Sequence, residues 1–314
     1  MVRWLVQPAR QIQELVMNAL LLLEKTTQAG TARSLADAAV TALVDEATLT
    51  PKPGLVDLRG NGAHDDLNWL LMCHSAHTLH PYFEAMAQAG QELPDAQALR
   101  ERIGALGRDA ERAMMRATGG VNTHRGAIWA LGLLVTAAAQ DHEDRSAQGV
   151  AARAGALARL PDPHRPAVTG NKGALACLQH GVGGAKAQAM HGFPHVLDVA
   201  LPMLQASRGR GATEDEARLD ALLAVMAQLD DTCLLARGGQ DALQATQQGA
   251  QRVLAAGGVA TGEGRHALRR LDDDLLARRV SPGGAADLLA AALLLEQVAN
   301  INFDAEREHG TTAI

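Results

Sequence analysis

Apolar positions recur at helical spacing along almost the whole chain, and polar residues gather in short breaks between them. The pattern predicts helices over about 8–28, 34–47, 65–89, 95–117, 125–140, 148–159, 171–180, 194–206, 214–236, 240–256, 264–278 and 282–299. Gly, Pro and Asp clusters separate them at about 50–63, 118–124, 160–170, 181–193, 207–212, 237–239, 257–263 and 279–284. No strand pattern, fixed-period repeat or long linker stands out. Leu160 to Pro166 reads most like a boundary but is short. The expectation is an all-α protein with one large multi-helix domain over 1–314, an N-terminal helix in about 1–33 and a charged, frayed tail over about 303–314.

Several helix ends carry signatures. Ser34 with Asp37 three residues on resembles a capping box. Ser281-Pro282 sets a cap residue before a proline suited to a first helical position. Arg237-Gly238-Gly239 reads as a glycine C-cap with a cation in the last turn.

Composition strengthens the helical reading. Apolar residues make up 47% of the chain and aromatics only 2%; Ala and Leu form helices, whereas strands favour β-branched and aromatic residues. A net charge of −6 supplies no basic field for nucleic acid. A phosphorylated substrate would then rely on local Lys or Arg, helix N-termini or a metal ion. Cys73, Cys177 and Cys233 are far apart, which argues against a disulfide framework and fits a reducing cytoplasm. The apolar run Leu15 to Leu23 is too short to span a membrane and carries no signal-peptide cleavage pattern.

Chemistry concentrates in the breaks. The loop Thr50 to Asp57 is stiffened by Pro51 and Pro53, freed at Gly54, and displays Lys52 as a phosphate-binding lysine would be displayed; a surface turn is the alternative. Asp57, His64, Asp65 and Asp66 follow, an oxygen-rich set that suits Mg²⁺; Asp65 and Asp66 would also suit an acidic helix N-terminus. Glu46 lies on the apolar face of its helix, as a salt-bridge partner, a general base or a metal ligand. Gly119, Gly120, Asn122, Thr123, His124 and Arg125 precede a helix that is apolar nearly all round, a pattern suited to anions. Asp230 and Asp231 read as sitting at the C-terminal end of a buried helix, where the dipole disfavours acids; Mg²⁺ binding or an Asp230–Arg237 pair would explain them. The connector from His180 to Pro194 offers glycines and Lys186, and Ser281 to Gly284 with Asp287 suggests close approach of a ligand or another backbone. His74, His77 and His80 mark a helix face.

These motifs together resemble the triphosphoribosyl-dephospho-CoA synthase family: TPKPGLVD at 50–57, NGAHDD at 61–66, GGVNTHRGAI at 119–128, GFP at 192–194, DDTCLLARGG at 230–239 and SPGGAADLL at 281–289, in order. The resemblance implies an all-α cytoplasmic transferase that joins ATP to 3′-dephospho-CoA, keeps the triphosphate and expels adenine. Its product would serve the prosthetic group of an acyl carrier subunit. The segment 183–194, with Gln188, resembles the malonate decarboxylase branch more than the citrate lyase branch. Lys186 stands where Arg is expected, and Cys233 where Asn is more usual.

On that resemblance Glu46, Asp57 and His64 are the expected catalytic set, with Glu46 or Asp57 as base. Asp65, Asp66 and Asp231 are the expected Mg²⁺ ligands. Lys52, the 119–126 loop with His124 and Arg125, Lys186, Arg237 and Ser281 would hold substrate. Two rival readings are an Mg²⁺-dependent hydrolase of ADP-ribose-type N-glycosidic bonds and a non-enzymatic accessory that binds the carrier subunit. A homo-oligomer is compatible with the apolar helix faces; neither nucleic acid nor membrane is an expected partner.

Overall fold

The computed structural model describes residues 28–164 and 172–301. The helix expected over 8–28 therefore falls almost wholly outside the described residues, as does the tail after 301. Among the described residues there are helices and no strand; the single β-bridge joins Asp57 and Gly60.

Helix α1 spans 28–48. It is followed by α2 (Trp69–Glu92), α3 (Ala96–Ala117), α4 (Arg125–Gln140), α5 (Ala147–Arg159), α6 (Lys172–His180) and α7 (Gly184–Met190). A π-helical turn, His195–Ala200, leads into α8 (Leu201–Gly209), and α9 (Glu214–Met226), α10 (Thr232–Ala255), α11 (Gly262–Arg278) and α12 (Gly283–Ala299) complete the chain.

Helices α4 and α12 form the axis. Both are apolar on nearly every side, and a helix of that kind must be surrounded. In α4 every residue from Leu131 to Ala139 is buried, and α12 buries the run Leu288 to Leu295. They pack on one another, with α2, α3, α5 and α7 around α4, and α5, α9, α10 and the π-helical turn around α12. The buried apolar residues form one continuous core from Ala32 to Val298. Small residues allow close approach: a Cβ on Gly90 would lie 2.5 Å from the Thr136 carbonyl. A buried Asp220 ties α9 to its neighbours, accepting from Ser207 Oγ at 2.6 Å and the Val259 amide at 2.8 Å.

Three local expectations are corrected. Ser34 is interior to α1, so the Ser34–Asp37 cap does not form. The helix expected over 214–236 breaks after Met226, because Asp231 starts a new helix by accepting the Cys233 amide at 2.8 Å. The connector 181–193 contains α7, anchored to α4 by Trp129 Nε1, which donates to the Ala185 carbonyl at 3.2 Å. The break at 237–239 survives as a kink inside α10, where Gly239 has φ 65° and ψ −162°.

Candidate active site

The loop after α1 turns its lysine inward. Lys52 is 1% exposed, and its Nζ donates to the Glu46 carbonyl at 2.6 Å and to Glu46 Oε1 at 2.5 Å. Lys52 is therefore the buried partner of Glu46 at 4% exposure, not a lysine displayed on a surface turn. The pair exists because Glu46 lies on the buried face of α1 and an uncompensated carboxylate there is costly.

Asp57 holds the loop in this shape. Its Oδ2 accepts from the Lys52 amide and Arg59 Nε, each at 2.9 Å, and its Oδ1 accepts from the Arg59 amide at 2.7 Å. Burial pushes the Asp57 carboxyl up, but the bonds from Arg59 and the Lys52 amide outweigh it and leave it below its ordinary value. On α11, Asp272 accepts from the Gly54 amide at 2.9 Å and from Arg59 Nη1 at 2.8 Å, fastening the loop to that helix. Gly54 has φ +68°, and a Cβ there would meet the Val280 carbonyl at 2.8 Å. Asp57 is thus engaged in loop structure on both oxygens, which argues against it as the base.

His124 stands immediately before α4. It is 3% exposed; its Nδ1 lies 2.9 Å from Ser75 Oγ, which lies 2.5 Å from Thr123 Oγ1. Its Nε2 is buried with no hydrogen-bond partner. Burial, and then the Lys52 charge, push its pKa down to about 4. Two further buried oxygens lack partners, Thr50 Oγ1 and Ser281 Oγ. Buried polar atoms are normally paired, so these three, in the loop before Lys52, just before α4 and just before α12, are candidates to meet a ligand.

The N-termini of α10 and α12 meet at Asp231, and α4 presents its own N-terminus to α12. Asp231 is 2% exposed; its Oδ1 accepts from the Cys233 amide at 2.8 Å and its Oδ2 from the Ala285 amide at 3.0 Å. Burial raises its carboxyl above the ordinary value, although the amides of Ala285, Cys233, Leu234 and Gly284 pull the other way. Asp287, one turn into α12, presses against the N-terminus of α4. A Cβ on Gly126 would lie 2.0 Å from Asp287 Oδ2, so a larger residue there would have to displace that carboxyl. Burial, followed by the charges of Glu46 and Asp231, pushes the Asp287 carboxyl well above its ordinary value, and the Ala127 amide opposes this. Cys233 retains exposed surface, yet its thiol is pushed well up by burial and by Asp231 and Asp287.

A cation lies near Cys233. Arg237 is exposed, with Nη1 and Nη2 at 3.4 and 3.3 Å from the two ring nitrogens of His64. Burial, then Arg237, push the His64 pKa down to about 4 against the opposing charges of Asp66 and Asp65. Asp230 has no bond to Arg237, so that pairing is corrected. Asp65 is ion-paired with Arg279 at 3.1 Å, and Asp66 lies exposed 3.7 Å from His64. Both precede the Asn68 cap of α2 and are not its first turn. Arg125 is paired with Glu111 at 3.2 Å, and its amide donates to Asn122 Oδ1 at 3.2 Å. Gly119 and Gly120 take positive φ in the turn before it. Lys186 is exposed on α7.

The ATP:dephospho-CoA triphosphoribosyl transferase (CitG) family matches residues 32–303. The chain belongs to this family. A 2-(5″-triphosphoribosyl)-3′-dephosphocoenzyme-A synthase of Klebsiella pneumoniae is 57% identical over 265 residues, which is 84% of this chain and 94% of the relative. Proteins named as probable synthases of the same kind are 58% identical in Stutzerimonas stutzeri, over 85% of this chain and 92% of the relative, and 54% identical in Pseudomonas aeruginosa, over 90% and 96%. No solved structure matches.

Asp287 was expected only as part of a place of close approach, with no role of its own, and Arg59 and Asp272 were not among the expected site residues. A signal for Asp287 was present: it is the only charge between Gly283 and Leu295 in an apolar helix. The expected metal set is dispersed in its bonding, Asp65 to Arg279, Asp66 beside His64 and Asp231 to amides. Among the described residues no group of three His, Cys, Asp or Glu side chains is arranged to hold a metal ion. No helix among them is long and apolar enough to cross a membrane.

The depressed histidines set a pH dependence. An unfolded histidine titrates near 6.5, whereas His64 and His124 do so at about 4 in the fold. Between those values the unfolded chain binds more protons, so their contribution to stability is present above pH 6.5 and is lost as pH falls towards 4. Melting temperature will drop across that window, and His124→Gln will flatten the drop. An identical pH slope in the variant would remove His124 from the account.

Proposed function

We propose that this protein forms 2′-(5″-triphosphoribosyl)-3′-dephospho-CoA and adenine from ATP and 3′-dephospho-CoA. The observation that carries the reading is the cluster in which the buried Glu46–Lys52 pair acts by charge on His124 and Asp287, beside buried polar atoms left unpaired, in a chain more than half identical to named synthases. Transfer of the ribose C1′ from adenine to the 2′-hydroxyl needs a group to take the hydroxyl proton. Glu46 is the better base candidate, because Asp57 is held by Arg59 and the Lys52 amide. Lys52 orients Glu46. Ser281 Oγ and His124 Nε2 would meet substrate polar groups. Exposed Arg237 and Lys186 and the Gly119–Arg125 turn are the groups that phosphates would approach, with His64 orienting Arg237. Mg²⁺ is assigned to the substrate, as the counter-ion of the triphosphate, since Asp65 is paired with Arg279 and Asp231 with two helix amides.

The malonate decarboxylase acyl carrier is the proposed destination of the product, on the strength of the 183–194 segment with Gln188. A cytoplasmic setting accords with three free cysteines.

The test is incubation of the purified protein with ATP, Mg²⁺ and 3′-dephospho-CoA, followed by mass analysis. Adenine and the coupled product are expected together, in equal amounts. Adenine without coupled product would establish hydrolysis instead. Neither product from folded protein would overturn the enzymatic reading.

A further inference from the structure

Adenine is a poor leaving group as an anion, so an enzyme that expels it gains from protonating the departing base. Glu46 is suited to receiving a proton, and nothing so far supplies one. Asp287 is a carboxyl at the head of α4 on which Glu46 acts by charge, and unlike Asp231 it is not tied to the first turns of two helices. It sits one turn into α12, half-buried, with Oδ2 packed against the glycine at 126. Its neighbours are two acids, Glu46 and Asp231, and the Ala127 amide at the head of α4. The segments flanking it carry the unpartnered His124 Nε2, 3% exposed, and Ser281 Oγ, 2% exposed.

Resting on the synthase reading, we propose that Asp287 is the general acid that protonates adenine as it leaves. The C1′–N9 bond breaks and its electron pair goes to the base, while the Asp287 proton passes to a ring nitrogen. The 2′-oxygen of 3′-dephospho-CoA bonds to C1′ and gives its proton to Glu46. Exchange with water restores Glu46 as carboxylate and Asp287 as acid, so neither is consumed. The environment suits each role. Lys52 compensates the negative charge of Glu46 at 2.5 Å. Asp287 lies near two carboxyls, and like charges packed together do not all ionise. Burial and those neighbours hold its carboxyl well above the ordinary range. One carboxylate ready to accept and one carboxyl ready to donate is a division of labour set by environment.

The experiment compares the wild-type protein with Asp287→Asn and Asp287→Glu, following adenine and coupled product at several pH values. Asp287→Asn is expected to lower kcat by about 10²–10⁴-fold with little change in the KM for ATP. The alkaline fall in wild-type rate should be missing from its residual activity. Asp287→Glu should recover part of the rate. With ATP methylated at N7, whose base departs neutral without receiving a proton, the gap between wild type and Asp287→Asn should shrink to under about tenfold. A kcat for Asp287→Asn within about fivefold of wild type would overturn the assignment. So would a loss cured by raising Mg²⁺, which would make Asp287 a metal ligand. If wild type releases adenine without coupled product, the synthase reading fails while the acid role is still decided by adenine release. A wild type that releases no adenine overturns both. Circular dichroism and melting temperature of the variants exclude unfolding as the cause of a loss.

Discussion

Lys52→Met will destabilise this protein by about 3–5 kcal/mol, although it changes a single loop side chain. The reason is Glu46. The two side chains are 2% and 6% exposed, and the lysine ammonium also satisfies the carbonyl that Glu46 itself presents. Removing the ammonium leaves a carboxylate against the apolar face of α1 with its main cation gone. Glu46 must then take up a proton or open a path to water. The double variant Glu46→Gln with Lys52→Met separates this account from a general intolerance of the position. With both charges gone the desolvation penalty goes too, so most of the lost stability should return. The double variant should nevertheless make no product, because the proposed base is absent. Urea unfolding of the two single variants and the double variant measures the coupling directly. A Lys52→Met protein as stable as wild type would mean that the pair contributes nothing and that Lys52 is free to serve substrate.

The helical architecture was legible because apolar spacing is a local property and this chain is rich in Ala and Leu. The motif-bearing breaks were legible for the same reason: Pro51, Pro53, Gly119 and Gly120 have few other uses. What the sequence did not disclose was direction. A lysine between two prolines has the same local signature whether it points to solvent or to Glu46, and only the packing of the loop on α11 through Asp272 turns it inward. The break between α9 and α10 was missed because Leu223, Met226, Leu229 and Leu234 keep an apolar pattern across it. Asp231 could have disclosed it, since Asp is a strong N-cap residue. Asp287 was legible only as part of a place of close approach and not as an acid, because its environment comes from segments 161 and 241 positions away, at Gly126 and Glu46.

Asp231→Ala is expected to lower activity and stability together, the latter by about 2–4 kcal/mol. One carboxylate serves two helices: Oδ1 takes the Cys233 amide in the first turn of α10, and Oδ2 takes the Ala285 amide in the first turn of α12. Alanine leaves both ends with buried donors unmet, and the repulsion-free space it opens lies beside Gly284, whose Cβ would have met Asp231 at 3.0 Å. Asp231→Asn keeps a single carbonyl oxygen, while its amide nitrogen faces a donor at the other helix, so it should recover one end and about half of the loss. Activity falls because the α12 turn that Asp231 fixes also carries Ser281 at its start and Asp287 one turn on. A metal ligand behaves differently. If Asp231 held Mg²⁺ during the reaction, Asp231→Ala would keep its melting temperature and regain rate as Mg²⁺ is raised. Melting temperature and the Mg²⁺ dependence of product formation, measured on the same preparations, distinguish a carboxylate that joins two helix ends from one that binds a cation.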